Sequence, residues 1–192
     1  MKRLIITAIV LICVCTVYSG SEVSARESDP FKFPQVGFWI GPVTPLYTTR
    51  DTVDTAIGGG LFARLNLGNS PFKLGFDGSY QKYKSKSLNQ ITMFPVYGSL
   101  LYRLPISSML SFQLKGGAGG AYVKAYPINI AQWDPMFMGG AELSFPLGTM
   151  AAIGLRVDYL MIYEKHISGT KRNGHFLNTG LSINFNLDLF GR

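Results

Sequence analysis

The sequence is poor in cysteine, histidine and charge, and it has no long apolar stretch beyond its first residues. Its two cysteines, Cys13 and Cys15, both precede residue 25. The remainder has none, which excludes disulfides and cysteine–zinc sites there. The two histidines, His166 and His175, are not joined by carboxylates at metal-ligand spacing, so no metal and no cofactor is expected. Charged residues make up 15% of the 192 positions, with 18 Lys and Arg against 11 Asp and Glu. The basic residues are spread over turns and the polar sides of strand candidates instead of forming one patch, which excludes nucleic acid as an expected partner. After residue 25 no run approaches the ~20 consecutive apolar residues of a membrane helix. A membrane protein lacking such a run has to be a closed barrel, since only helices and closed barrels pair every backbone polar group inside hydrocarbon.

The first residues have a character of their own. Lys2-Arg3 precedes an apolar run from Leu4 to Val17, and Val23-Ser24-Ala25 places small residues at the end. This is the layout of a secretory signal peptide, so residues 1–25 are set apart from the fold. An uncleaved helix is the alternative, although the apolar run is short for one. Ile12 and Val14 precede the cysteines, where lipidation would need a small residue. Residues 26–35 read as a short polar lead-in and residues 36–192 as the folded unit.

Within that unit the organising pattern is alternation. Residues 176–190 carry Leu177, Thr179, Leu181, Ile183, Phe185, Leu187 and Leu189 on one face, and Asn178, Gly180, Ser182, Asn184, Asn186 and Asp188 on the other. Side chains on a strand alternate between faces, and soluble strands average about 5–6 residues. A strand this long, apolar on one side, suits a tilted bilayer crossing. The same period recurs from Val36 onward, with the prolines Pro42 and Pro45 making the far end of the first strand irregular, and at 56–67, 72–83, 91–104, 110–125, 135–145 and 150–163. The stretch 115–120, Lys-Gly-Gly-Ala-Gly-Gly, resembles a phosphate loop, but no helix pattern and no Lys-Ser/Thr pair follows it, so it is read as part of the fifth strand. The connections after the first, third, fifth and seventh strands read as longer and polar, the fifth covering 126–134. The other three read as short turns rich in Gly, Pro or Ser.

The predicted architecture is an all-β, eight-stranded antiparallel up-and-down transmembrane β-barrel, with short turns at one end and long loops at the other. Alternation alone also fits a soluble lipocalin-like carrier, whose apolar face is interior. The strand-face charges are few: Arg64, Lys73, Asp77, Arg103, Lys115, Glu142, Arg156 and Asp158. They would cover a solvated exterior poorly but could pair with one another in a closed interior, which favours the membrane arrangement. Tyr80, Tyr102, Tyr122, Tyr159 and Tyr163 fall near strand ends, where interfacial aromatic girdles belong. An eight-strand barrel is just wide enough to be filled by side chains. The eight charges are therefore expected to form an interior ion-pair network and not to line a pore.

By this pattern the chain resembles the small eight-stranded outer-membrane barrels of the OmpA/OmpX-like, porin-type group. Asn178, Gly180, Ile183 and Phe185 match the terminal-strand signal by which such proteins are inserted, although further residues follow Phe185. The resemblance implies a Gram-negative-type cell outer membrane, with long loops extracellular and short turns periplasmic. It also implies the barrel-assembly machinery as a partner during insertion, and outer-membrane lipid and lipopolysaccharide around the barrel. The expected role is structural or surface interaction. Outer-membrane lipid A deacylases are similar barrels that use a His-x-Ser, and His166-Ile167-Ser168 matches those three residues. A base–nucleophile pair of this kind wants an acidic orienter. No Asp or Glu lies between Ser168 and Asp188, so an enzyme is the alternative reading.

Overall fold

The computed structural model describes residues 30–68, 70–84, 90–104, 106–107, 109–126, 129–148, 150–163 and 173–187. The signal-like segment, His166 and Ser168 lie outside them. Eight strands form a closed barrel in chain order: β1 (Gln35–Pro45), β2 (Ala56–Asn66), β3 (Phe72–Lys84), β4 (Gln90–Leu104), β5 (Ser111–Tyr126), β6 (Ile130–Leu147), β7 (Ala151–Ile162) and β8 (Gly174–Asn186). Every neighbouring pair is antiparallel, and β1 closes on β8 through pairs such as Val36↔Phe185 and Ile40↔Leu181. Closure leaves no strand edge to be satisfied by water or lipid.

The alternation read from the sequence sorts the two faces. Val36, Phe38, Ile40, Leu61, Phe76, Phe137, Leu155 and Phe185 point outward and are exposed, Leu61 to 70%. Arg64, Glu142, Arg156 and Asp158 point inward and are at most 2% exposed. This is the reverse of a lipocalin-like carrier, which keeps its apolar face inside. An apolar outer band around a polar interior is stable only where hydrocarbon covers the band, so the barrel spans a membrane.

Prolines and glycines are absorbed at defined places. β1 continues through Pro42, opposite which the β1–β8 pairing lapses between Ile40↔Leu181 and Val43↔Asn178. The β3–β4 pairing lapses likewise between Gly78↔Val96 and Gln81↔Met93, opposite Pro95. A proline has no N–H to give a ladder, so both gaps follow from its chemistry. The glycine-rich stretch is strand, within β5. A Cβ on Gly119 would run into the backbone of Val96 and Tyr97, so β5 and β4 approach there only because the side chain is missing.

Two expectations are corrected. The polar loop placed at 126–134 is strand from Ile130 on, and only residues 127–129 connect β5 to β6. Asp134-Pro135 has the residue types of a turn, but Trp133 outward and Asp134 inward keep the period. Asn129, just before β6, has φ 54, a conformation Asn tolerates better than most residues. One of the four connections expected to be long is therefore short. The lead-in is also more than a polar tail. A single 3-10 turn, Pro30–Lys32, carries Phe31 into the short-turn end of the barrel, where it is 1% exposed.

Candidate functional site: the barrel interior

The interior has two layers. The layer nearer the short turns is charged. Arg64 on β2 reaches Glu142 on β6 with both terminal guanidinium nitrogens. Nη1 donates to Oε1 at 3.1 Å, and Nη2 bonds Oε2. Arg156 on β7 donates from Nη2 to Asp77 Oδ1 on β3 at 2.8 Å and to the Tyr97 hydroxyl at 3.1 Å. Its Nε donates to Asp158 Oδ2 at 2.7 Å. Lys115 on β5 ties these pairs together, with Nζ 2.6 Å from Asp158 Oδ1 and 3.8 Å from Glu142 Oε2. Three cations and three carboxylates thus form one neutral chain, in the order Arg64, Glu142, Lys115, Asp158, Arg156, Asp77.

The barrel's topology gives the arrangement its shape. β2 and β6 are four strands apart in a ring of eight, and so are β3 and β7. The Arg64–Glu142 and Arg156–Asp77 pairs therefore each cross the full diameter of the barrel. Glu142 Oε1 also accepts from Ser144 and Ser182, both at 3.1 Å, and from Asn184 Nδ2 at 3.4 Å. Buried charges are tolerated when ion pairing and such additional hydrogen bonds replace their lost hydration.

Above the network the lining becomes largely apolar. Phe62 and Trp39 lie between the two layers, with the Arg64 guanidinium 4.4 Å from the Phe62 ring centre and that of Arg156 5.0 Å from the Trp39 ring centre. Beyond them Val43, Met93, Ala121, Met136, Leu160 and Phe176 pack together, Met93 and Leu160 with no exposed surface. Val53, from the β1–β2 connection, closes this layer from the loop side. That connection is pinned to the rim where Leu46 N–H donates to His175 O at 2.8 Å and His175 N–H to Thr49 Oγ1 at 3.1 Å.

All eight charged positions singled out from the sequence lie on the inward faces. Six share the central network. The other two, Lys73 and Arg103, sit at the short-turn end with Phe31. Lys73 Nζ donates to the Phe31 carbonyl at 2.7 Å and to Gln35 Oε1 at 3.3 Å. The Arg103 guanidinium lies 4.9 Å from the Phe31 ring centre. Of the proposed insertion-signal residues, Asn178 faces inward and Gly180 lies against Ile40 and Gly41 of β1. Ile183 and Phe185 face outward, Phe185 paired with Val36 and with Ala151. Sequence reasoning missed Asp134, which is 4% exposed and accepts from Gln132 Nε2 at 3.0 Å on each oxygen. Its inward parity with Met136 and Met138 was the available signal. Among the described residues no three His, Cys, Asp or Glu side chains are grouped to hold a metal ion.

A closed, antiparallel, eight-stranded barrel is the fold of the small outer-membrane barrels. Two solved structures show it. The structure is similar to neisserial surface protein A, with a TM-score of 0.65 at 10% identity, over 80% of this chain and 97% of that one. It is also similar to the N-terminal β-barrel domain of OprF from Pseudomonas aeruginosa, with a TM-score of 0.51 at 15% identity, over 81% of this chain and 98% of that one. No family model and no curated protein matches the sequence.

Proposed function

We propose that this chain is an integral barrel of the cell outer membrane with a closed lumen, and that it acts through its surface, as a structural element or by presenting its loops. The observation that carries this reading is the pair of ion-pair bars, Arg64–Glu142 and Arg156–Asp77, that cross the barrel on two diameters. Below them Phe31 is buried at the short-turn end, and above them Met93, Leu160 and Phe176 pack together. A lumen of eight strands has little room beyond what these side chains fill.

In this reading the long-loop end faces outward and residues 1–25 direct export. Asn178, Gly180, Ile183 and Phe185 present β8 to the insertion machinery. A surface role agrees with the name of neisserial surface protein A. Catalysis by His166 and Ser168 is the competing use of the loops. The discriminating experiment is a mass spectrum of lipid A from cells carrying the native chain, the His166→Ala chain or none. Identical spectra are expected. Loss of an acyl chain that depends on His166 would overturn the non-enzymatic reading.

A further inference from the structure

We propose that residues 30–34, the segment just before β1, act as a latch that keeps the seam between β1 and β8 shut. Three observations carry this.

The first is how little else secures the seam. β1 and β8 begin and end the ring, so no connection links them as one links every other neighbouring pair. Their ladder lapses opposite Pro42, between Ile40↔Leu181 and Val43↔Asn178. Beside the lapse Gly41 and Gly180 lie against each other, and a Cβ on either would run into the backbone of the other strand. The two backbones approach closely at that point, but no inward side chain from either strand interlocks there.

The second observation is that the seam is clasped at its two ends. At the loop end, Leu46 N–H donates to His175 O and His175 N–H to Thr49 Oγ1. At the short-turn end the clasp is the 30–34 segment. Leu187 N–H donates to Pro34 O at 2.7 Å, one step beyond the last registered pair, Gln35↔Asn186. Gln35 Nε2 donates to Asn186 Oδ1 at 2.9 Å.

The third is where the far end of the segment is anchored. Asn66 Nδ2, at the end of β2, bonds Lys32 O. Lys73 Nζ on β3 donates to Phe31 O at 2.7 Å, and the Arg103 guanidinium on β4 lies over the buried Phe31 ring. β4 is four strands from β8 in a ring of eight, so the segment runs from one wall of the barrel to the opposite one. In a flat sheet β4 would lie about 14 Å from β1, so the anchor exists only once the sheet has curled. Three residues separate Phe31 from β1, and one of them is Pro34, whose ring fixes φ. So short and stiff a strap cannot follow β1 away from β8 while Phe31 stays seated. Opening the seam therefore means breaking the Pro34–Leu187 bond and drawing Phe31 out of the barrel.

The test is amide hydrogen exchange on the purified, detergent-folded chain expressed from residue 26, which holds the whole latch and no cysteine. Phe31→Ala is expected to speed exchange in β1 and β8 about 100-fold, and to change amides of β5 and β6 less than about twofold. Phe31→Leu fills the same place without a ring for Arg103. It should show the same pattern with a smaller factor, and it replaces Phe31→Ala if that chain does not fold. A disulfide across the seam, from Phe38→Cys with Ile183→Cys at registered outward positions, should cancel the effect of Phe31→Ala. Reduction of that bridge should restore it. Faster exchange spread evenly over all eight strands, no change at the seam, or an effect that survives the disulfide would overturn the latch and leave Phe31 as ordinary packing.

Discussion

The two layers of the interior do the same job with opposite chemistry. Towards the short turns the lumen is closed by Arg64, Glu142, Lys115, Asp158, Arg156 and Asp77, each cation within ion-pair distance of at least one carboxylate. Towards the loops it is closed mainly by Met93, Leu160, Phe176 and their neighbours, with the inward-facing Asp134 beside them held by Gln132. The apolar layer gains from every buried methylene independently. The charged layer holds only as a set, because removing one member leaves its partners buried and unpaired. The apolar layer should therefore tolerate small losses, and the charged layer should not.

The comparison can be broken first at Glu142. Glu142→Ala strands Arg64 and removes one of the two carboxylates beside Lys115. It is expected to cost about 3–5 kcal/mol in denaturant unfolding from detergent micelles. A cost near that of an ordinary core truncation of the same volume would remove the distinction between layers. Replacing the pair as a unit, Arg64→Met with Glu142→Leu, should recover most of that loss. Lys115 keeps Asp158, and a well-packed apolar pair is often neutral or better. A double variant as unstable as Glu142→Ala would show that the network needs Glu142 for more than Arg64.

In the apolar layer, Ile162→Val removes one methylene from a side chain 3% exposed and should cost about 1 kcal/mol, read in the same unfolding assay. The smallest effect is expected at the short-turn end. Ser111→Ala, which removes a hydroxyl that accepts from Gln113 Nε2 at 3.2 Å, should shift stability by about 1 kcal/mol or less in the same unfolding assay.

Much of the fold was legible because a strand's period of two exposes itself in any sequence with one apolar face. β7 shows this plainly: Ile153, Leu155, Val157 and Tyr159 alternate with Gly154, Arg156 and Asp158, and that parity places Arg156 and Asp158 indoors. Which inward charges meet was not legible. Arg64 and Glu142 are 78 residues apart, and their contact follows from barrel closure and strand tilt, neither of which is written in local pattern. The apolar upper layer was half visible. Met93, Tyr97 and Leu101 weakened the polar face of β4, and Phe62 sat on the polar face of β2, without showing that such residues gather at one level. The β5–β6 connection is shorter than the 126–134 expected, and the inward parity of Asp134 with Met136 and Met138 is the pattern that runs through its end. Phe31 escaped because no periodicity marks a residue that enters the barrel from its end.

The central claim is that the two layers close the lumen, and the most direct measurement is current across a planar bilayer holding the purified, folded barrel. No resolved conductance steps are expected at moderate voltage, for the native chain or for Ile162→Val. Steady, reproducible steps from the native chain would mean that ions pass the Arg64–Glu142 and Arg156–Asp77 bars, and the account of a closed interior would be wrong.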